Sequence, residues 1–178
     1  MNDREDATLV ADCLNGNRQS FETLLDRYQK LVFNLALRIV NDRDEAADVT
    51  QTVFIKAYEN LHRFNPRYKF YSWIYRIATN ESLNIVKARK PVEALSDELE
   101  SSDLAPDALL GILEDSRLME EALGRLTPEN RAVVVLCHVN GLSYREIGDV
   151  LEISEKKVKS RLFSARKQLK TLLLKLRS

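Results

Sequence analysis

The sequence predicts an all-α protein built from two small helical domains that an acidic, flexible linker joins. Apolar side chains recur at helical spacing along most of the 178 residues, and no stretch alternates with the period of two that marks a strand. The helical pattern stops at residues 91–113, where prolines and serines lie among acidic side chains. Such a segment buries too little apolar surface to offset its ordering entropy. We therefore predict one domain at residues 1–90 and a second at residues 114–178.

Three amphipathic helices account for the first domain. Each has largely apolar side chains at steps of three or four residues, which places them on one face of a helix. The three stripes are Leu24, Tyr28, Leu31, Leu35 and Ile39; Ala47, Thr50, Phe54, Ala57 and Leu61; and Phe70, Ile74, Ile77 and Ile85, with Glu81 as a polar interruption. We expect these faces to form the core of the domain.

Capping residues mark the helices of the second domain. Thr127 followed by Pro128 is a helix N-terminus, and Gly141 is a typical C-terminal glycine for a helix that runs toward residue 140. Ser143 and Glu146 have the spacing of a capping box, which starts a short helix ending near residue 151. The last helix has one continuous apolar stripe, formed by Val158, Leu162, Ala165, Leu169, Leu172 and Leu176.

Residues 143–163 have the pattern of a helix-turn-helix motif. Gly148 allows the two helices to approach closely, Ile153 fills the turn, and Ser154 caps the second helix. The first turns of that helix carry the donors Lys156, Lys157, Lys159, Ser160 and Arg161. Side chains at this position of a recognition helix contact base edges and phosphates in the major groove. The alternative is an ordinary helical hairpin with a basic outer face, but spacing, caps and charge together favour DNA binding.

The charges are segregated although they sum to zero. Residues 63–90 carry seven basic and one acidic side chain, residues 93–121 carry one and ten, and residues 151–178 carry nine and two. Two basic blocks separated by an acidic one indicate two separate contacts with a polyanion. The alternative, two merely solvated faces, is less favoured because each block has a further nucleic-acid feature.

The further feature of the first basic block is its aromatic content. Six of the chain's 13 aromatic residues (one Trp, six Tyr and six Phe) fall within residues 64–75. They are Phe64, Tyr68, Phe70, Tyr71, Trp73 and Tyr75, and the cations beside them are Arg63, Arg67, Lys69 and Arg76. Rings that stack bases and cations that hold phosphates suit single-stranded nucleic acid, and the loop before the helix could shape a pocket for an extruded base. The alternative to base stacking is that some of these rings belong to the hydrophobic core. We favour the core for Phe70, and for Tyr71 and Tyr75 we consider core packing and base stacking equally supported.

Several function classes are excluded by what the sequence lacks. It has no run of about 20 apolar residues that would span a membrane and no signal-peptide pattern, so we expect a cytoplasmic protein without a membrane span. Cys13 and Cys137 have no partner at disulfide or zinc spacing. His62 and His138 lie in separate domains, and no phosphate-binding loop occurs. We therefore predict no catalytic residue, no metal and no cofactor, and not an enzyme.

The order of these parts resembles the sigma factors of bacterial RNA polymerase, specifically their small extracytoplasmic-function group. Three stretches carry the resemblance, which covers nearly the whole chain. They are DVTQTVFIKAY at residues 48–58, FYSWIYRIATN at residues 70–80 and GLSYREIG at residues 141–148. The resemblance implies a promoter-specificity subunit that directs transcription initiation at −35/−10 promoters of a stress or envelope-type regulon.

The resemblance also implies roles for particular residues. The first domain would correspond to sigma region two and melt and recognise the downstream promoter element through Phe64, Arg67, Tyr68, Trp73, Arg76, Asn80 and Lys87, with Phe64 and Asn80 lining a pocket for a flipped base. The second domain would correspond to region four and recognise the upstream element as a duplex through Lys159, Ser160, Arg161 and Phe163. Lys156 and Lys157, the donors at the start of the same helix, complete the predicted upstream surface. Region four would also contact the β flap of core RNA polymerase, and the linker would thread toward its active-site and RNA-exit path.

Core binding would fall to one face of the second helix. Asp48, Thr52, Ile55 and Glu59 lie on its outer face at steps of four, three and four, beside Gln51. By resemblance this face docks on the β′ clamp helices. Many relatives carry an acidic residue directly after the glutamine where this chain has Thr52, and many carry a basic residue where it has Ser164. Phosphorylation of Thr52 would restore the missing negative charge. The alternative, that threonine is simply tolerated at this position, is equally supported.

Two regulators are compatible with this resemblance: an anti-sigma factor or a Ser/Thr kinase. The alternative to a sigma factor is a stand-alone helix-turn-helix transcription regulator. Such a regulator would bind duplex DNA by itself and would leave the aromatic block around Trp73 without a role.

Overall fold

The computed structural model describes residues 3–89 and 116–177 as eight α-helices with one 3-10 turn and one π-helical segment, and these residues contain no strand. The helices are α1 Asp3–Leu14, α2 Arg18–Val40, α3 Arg43–Glu59, α4 Phe70–Ala88, α5 Ser116–Gly124, α6 Pro128–Val134, α7 Tyr144–Leu151 and α8 Glu155–Arg177. The all-α prediction is confirmed. The predicted linker at residues 91–113 lies outside the described residues. None of the described helices is both long enough and apolar enough to cross a bilayer.

Short polar side chains set the helix ends of the first domain. The Asn17 side chain accepts a hydrogen bond from the Gln19 amide at 3.1 Å and starts α2. Asn41 ends α2 in the left-handed region at a φ of 56°, which asparagine tolerates better than most residues. The Asp42 carboxylate then accepts two first-turn amides of α3 at 2.9 Å each. The chain therefore reverses within two residues, and α3 packs back against α2.

The core of the first domain lies among α2, α3 and α4. The predicted face of α2 is buried except at Leu31, which is half-buried. On α4 the prediction holds for Phe70 and Ile74 and was wrong farther along, where Ile77 and Ile85 are half-buried. The buried residues of that second half are Ala78, Thr79, Ser82 and Leu83. The polar interruption Glu81 accepts a hydrogen bond from Lys56 at 2.6 Å and so joins α4 to α3.

The predicted stripe of α3 was wrong at its start. Ala47 is exposed, and Ala46, Val49 and Val53 are the buried residues. Thr50 is half-buried, and its hydroxyl donates to the Ala46 carbonyl at 2.7 Å. Two adjacent alanines made the register ambiguous by one position, and packing between two neighbouring helices selects the first of them.

The second domain begins as the capping residues predict. The Thr127 hydroxyl accepts the Asn130 amide at 3.3 Å, and Pro128 opens α6. The helix then widens into a π-helical segment, Val135–Val139, before Gly141 at a φ of +68°. The sequence predicted one α-helix to residue 140, and the Asn140 amide instead reaches back five residues to Val135 at 3.1 Å.

The helix-turn-helix prediction is confirmed in detail. Ser143 and Glu146 form the capping box of α7, with both reciprocal hydrogen bonds present. A Cβ on Gly148 would lie 2.8 Å from the Ile153 carbonyl oxygen, so only glycine permits this close approach of the turn. The Ser154 hydroxyl accepts the Lys157 amide at 3.3 Å and caps α8.

Candidate nucleic-acid interfaces

A pocket of about 240 Å³ lies where the aromatic block meets the start of α4. Its lining residues are Arg63, Phe64, Asn65, Tyr68, Ser72, Trp73, Arg76 and Asp149. The Asn65 side chain accepts the Arg67 amide at 3.0 Å and its carbonyl accepts the Tyr68 amide at 3.0 Å, so the loop is a tight turn. This turn presents Tyr68, which is 60% exposed, at the rim of the pocket.

The inner wall of the pocket is part of the core. Phe64 is only 8% exposed, and its ring centroid lies 5.6 Å from those of both Phe70 and Trp73. Trp73 is half-buried and faces the pocket with part of its ring. The predicted residues therefore divide: Phe64 builds the wall, whereas Trp73 and Tyr68 present accessible ring surface.

The remaining predicted downstream residues lie outside the pocket or at its edge. Asn80 is exposed one turn beyond Arg76 on α4 and does not line the pocket. Arg67 is exposed on the turn, and Lys87 is exposed near the C-terminal end of α4. The structure thus brings Phe64 together with Tyr68, Trp73 and Arg76, and leaves Asn80 apart.

Helix α7 of the second domain covers one side of this surface. The Arg76 guanidinium donates through Nε to the Asp149 carbonyl at 3.1 Å and through Nη1 to the Glu152 carboxylate at 3.2 Å. Glu152 is the C-cap of α7, so Arg76 binds one carbonyl group and one carboxylate at the negative end of that helix. Asp149 also lines the pocket itself.

The other end of α7 is held by a second cluster. One Glu146 oxygen accepts from the Tyr71 hydroxyl and from Lys69 Nζ, the latter at 3.2 Å, while the other oxygen accepts from the Ser143 amide at 2.9 Å. Burial alone would raise the pKa of Glu146, but the hydrogen bonds from Tyr71, Ser143 and Lys69 outweigh it and lower the pKa to about 2. The hydrogen bonds to Tyr71 and Glu146 raise the pKa of Lys69. Glu146 is therefore a fixed carboxylate between the two domains.

Further contacts hold the two domains together along α2 and α4. Lys87 pairs with Glu129 of α6 at 3.1 Å, and Asn140 donates to the Tyr75 hydroxyl at 3.2 Å. Arg131 is only 5% exposed, and it donates to the Ile39 carbonyl of α2 at 2.6 Å and to the Gly124 carbonyl of α5 at 2.6 Å. Burial lowers the pKa of its guanidinium, and the carbonyl groups of two helix ends supply its acceptors.

The candidate upstream surface is open by comparison. Lys156, Lys157, Lys159 and Ser160 are exposed at the start of α8, and Arg161 and Phe163 are half-buried. The opposite face of α8 is buried at Val158, Leu162 and Ala165, which fixes the orientation of the donors. The first turns of α8, whose other face is packed in the core, therefore present their basic side chains to solvent.

The candidate core-binding face is exposed along α3. Asp48, Gln51, Ile55 and Glu59 are exposed, Ile55 at 59%, and Thr52 is half-buried. Tyr58, which the sequence did not single out, is 45% exposed beside Phe21, with ring centroids 5.0 Å apart. An exposed isoleucine and tyrosine among carboxylates form a mixed apolar and acidic surface.

The sequence argument missed the contacts that three residues make between the domains. Glu146 was identified only as a cap, because its second oxygen contacts a residue 75 positions away. The sequence contained one indication that Arg131 is buried: its charge directly precedes five apolar residues, Ala132 to Leu136. Lys69 was identified as a phosphate contact, and nothing in the sequence pairs it with a carboxylate of the other domain.

Two helical domains, one with an aromatic pocket beside cations and one with a helix-turn-helix, are the arrangement of a candidate nucleic-acid-binding protein. Residues 24–92 match the family described as Sigma-70 region 2, and residues 116–169 match Sigma-70, region 4.

Named relatives agree with these family matches. The chain is 37% identical to the ECF RNA polymerase sigma factor SigE of Mycolicibacterium smegmatis, over 88% of this chain and 62% of that relative. It is 30% identical to the ECF RNA polymerase sigma factor SigW of Bacillus subtilis, over 87% and 89%, and 32% identical to the ECF RNA polymerase sigma-E factor of Escherichia coli, over 90% of each chain.

Solved structures show the same fold. CnrH, in complex with the cytosolic domain of CnrY, is 28% identical with a TM-score of 0.73, covering 95% of this chain and 97% of that one. RpoE of Bartonella quintana, in complex with the anti-sigma factor NepR, has a TM-score of 0.68 at 22% identity, covering 87% and 97%.

The chain belongs to the extracytoplasmic-function family of RNA polymerase sigma factors. Its function is to direct transcription initiation.

Proposed function

We propose that the chain binds core RNA polymerase through the exposed face of α3, melts and recognises a downstream promoter element at the aromatic pocket and α4, and recognises an upstream element through α8. The observation that supports this proposal is the presence of two different candidate nucleic-acid surfaces in one chain. A ring-lined pocket beside cations suits single-stranded bases, and an exposed basic helix start suits the major groove of a duplex.

The alternative function, a stand-alone helix-turn-helix regulator, would explain only the exposed basic start of α8. It needs neither the pocket around Trp73 nor the exposed Ile55 and Tyr58 on α3. Gel filtration with core RNA polymerase distinguishes the two functions, because a sigma factor co-elutes with the core enzyme and a simple regulator does not.

Run-off transcription with core enzyme, followed by mapping of the start sites, then identifies the promoters. We expect discrete start sites that depend on this chain. Co-elution without any stimulated transcript, on genomic fragments of the source organism, would contradict the promoter-specificity role. The mapped promoters would also test the expectation of a stress or envelope-type regulon.

Control by an anti-sigma factor is part of this proposal. Solved relatives are complexes with the cytosolic domain of CnrY or with the anti-sigma factor NepR, and we infer a partner of that kind for this chain. Affinity purification of the chain from its source organism, under inducing and non-inducing conditions, would identify it.

Phosphorylation of Thr52 is the alternative form of control. Thr52 is half-buried among the exposed Asp48, Gln51 and Ile55, and a phosphate there would add about −1.5 to −2 charges to the surface proposed to meet polymerase. We expect Thr52→Glu to bind core enzyme more tightly than Thr52→Ala. Thr50→Ala is the matched control, since its hydroxyl is turned to the Ala46 carbonyl. If all three variants bind core RNA polymerase equally and strongly, Thr52 is not a phosphorylation switch and is simply tolerated at this position.

A further inference from the structure

We propose that Asp6 of α1 is a positioning residue of the aromatic pocket. It acts through Tyr28 of α2 and Phe70 of α4 on the rings that line the pocket. This inference rests on the proposed role of the pocket in opening the downstream promoter element. It adds a function for α1, a helix that contributes no residue to the pocket lining and belongs to neither basic block.

Asp6 is a fully buried carboxylate in the first domain. Its exposed fraction is 0%, and its two oxygens have different partners. Oδ1 accepts a hydrogen bond from Arg27 Nη1, and Oδ2 accepts one from the Tyr28 hydroxyl. Arg27 also pairs with Glu5 at 3.0 Å. Burying a carboxylate is costly unless it is paired and hydrogen-bonded, so these bonds fix Asp6 against two adjacent residues of α2.

The ring of Tyr28 connects Asp6 to the pocket. Its hydroxyl is bound to Asp6, and its ring centroid lies 5.3 Å from that of Phe70. The Phe70 centroid in turn lies 5.6 Å from those of Phe64 and Trp73, the two rings that line the pocket from the core side. Tyr28 and Phe70 are 0% and 1% exposed. Because packed aromatic rings prefer particular orientations, a shift of Tyr28 would displace the pocket wall.

Helix α1 also packs against the segment that precedes the pocket. It contacts the 3-10 turn Leu61–Arg63 and the helix α4. Phe64 directly follows that turn, and its amide donates to the Leu61 carbonyl at 3.0 Å. The placement of α1 by Asp6 therefore supports Phe64 by a second route, through the backbone that leads into the pocket.

An extruded base requires a pocket of fixed shape. Contacts with the pocket have to offset the free energy of unstacking and unpairing the base, and binding groups are effective when their supporting residues hold them to within about 0.5 Å. Trp73 is only half-buried, so its orientation depends on the rings packed beneath it. The bonds of Asp6 fix the far end of that ring cluster.

Two substitutions weaken this support and leave every ring in place. Asp6→Asn leaves one carbonyl oxygen for two donors that use separate oxygens in the wild type. Tyr28→Phe removes only the hydroxyl bond and keeps the pair between Asp6 and Arg27. Asp12→Asn is the matched control, because it makes the same chemical change at an exposed position of the same helix.

Open-complex formation by the full-length chain with core RNA polymerase separates positioning from stability. On a promoter found by start-site mapping, the dependence of the rate on holoenzyme concentration gives an initial binding constant and an isomerisation rate constant. We expect Asp6→Asn to slow isomerisation about tenfold or more, Tyr28→Phe to slow it less, and Asp12→Asn to leave it unchanged. The initial binding constant should stay the same, since the recognition helix α8 is not altered.

The fluorescence of the free chain provides a second readout. Trp73 is the single tryptophan, and its emission should shift in Asp6→Asn and in Tyr28→Phe because the neighbouring rings move against it. The double variant should isomerise no more slowly than Asp6→Asn alone, because the two residues act through one shared hydrogen bond.

Three results would overturn the inference. In the first, Asp6→Asn lowers the urea midpoint but leaves isomerisation and Trp73 emission as in the wild type, so Asp6 only stabilises the fold. In the second, the effects of the two single substitutions add fully in the double variant. In the third, Asp6→Asn does not fold and Tyr28→Phe matches the wild type in both readouts.

Tyr68→Ala distinguishes these failures from failure of the proposed function, because Tyr68 lines the pocket directly. If Tyr68→Ala slows isomerisation and Asp6→Asn does not, the pocket has its proposed role and Asp6 does not position it. If neither variant slows isomerisation, the proposed role of the pocket is itself wrong.

Discussion

The two candidate DNA surfaces of this chain have similar charge and opposite accessibility. At the start of α8, Lys156, Lys157 and Lys159 extend into solvent from a helix whose other face is packed. On α4, Arg76 and Lys87 are bound to groups of the other domain, and the pocket beside them is narrowed by Asp149. A basic block in the sequence therefore identifies candidate DNA contacts, and only the tertiary packing shows which of them are available.

The largest expected effect separates the wall of the downstream pocket from its accessible rings. Phe64→Ala removes a buried ring from the cluster with Phe70 and Trp73, and a change of this kind costs about 3–5 kcal/mol. Tyr68→Ala, at a side chain that is 60% exposed, should change the free energy of unfolding by no more than about 0.5 kcal/mol. Urea unfolding of the two variants measures both values.

Activity assays complete that comparison. We expect Tyr68→Ala to slow open-complex formation on duplex promoters, and pre-melted templates to restore much of the rate, since unstacking is already done. Equal loss on both kinds of template, with the fold intact, would argue against a melting role for Tyr68.

The next largest effect concerns the upstream surface alone. Gly148→Ala places a Cβ 2.8 Å from the Ile153 carbonyl, and overpacking of this kind costs about 1–3 kcal/mol. We expect weaker binding to upstream duplex DNA because the turn that positions α8 is displaced. Gly16→Ala, where a Cβ would have no neighbour within 4 Å but φ is +101°, is a control for backbone strain in the first domain. A Gly148→Ala protein with normal stability would contradict the close approach.

Individual donors on α8 should have smaller and more specific effects. Arg161→Ala or Lys159→Ala should alter preference at one upstream base pair by about 1–3 kcal/mol where the lost contact is to a base. Where the contact is to phosphate, affinity should fall evenly for all sequences and the salt dependence should flatten. Lys170→Ala, exposed farther along α8, is the matched control. Normal transcription by both variants at every promoter would refute the proposed docking.

A separate prediction concerns the pH dependence of the contact between the domains. Glu146 has a pKa of about 2 in the folded chain against an ordinary value of 4.5. A lowered pKa stabilises the fold above the ordinary value, and that contribution is lost as the pH falls from about 4.5 to about 2. The stability difference between wild type and Glu146→Gln should therefore shrink over this range in urea unfolding. A difference that is constant with pH would show that the charge of Glu146 contributes nothing.

Much of the architecture could be predicted because its causes are local. Ser143, Glu146, Gly148 and Ser154 determine the helix-turn-helix through capping bonds and steric fit within a few residues. The buried stripe of α8 follows from helical periodicity in the same way. The register error at Ala47 arose where two alanines gave periodicity no preference.

The covering of the downstream surface could not be predicted, because its causes join residues far apart in the chain. From the sequence, core packing and base stacking were equally supported for Tyr71 and Tyr75. In the structure both are buried, and their hydroxyl groups contact Glu146 and Asn140 of the other domain. Periodicity shows that a helix face is apolar but not which element covers it. The π-helical segment Val135–Val139 is similar, since its sequence fits an ordinary helix.

The most direct measurement of the difference between the two surfaces uses Trp73, which is the single tryptophan of the chain and lines the downstream pocket. Its fluorescence reports on that pocket while labelled duplex DNA reports on α8. We expect upstream duplex to bind the free chain without changing the Trp73 emission. Oligothymidine should quench Trp73 strongly in the Glu146→Gln, Glu152→Gln double variant and only weakly in wild type. Equal quenching in wild type and variant would contradict the account, because the pocket would then be as open as the recognition helix.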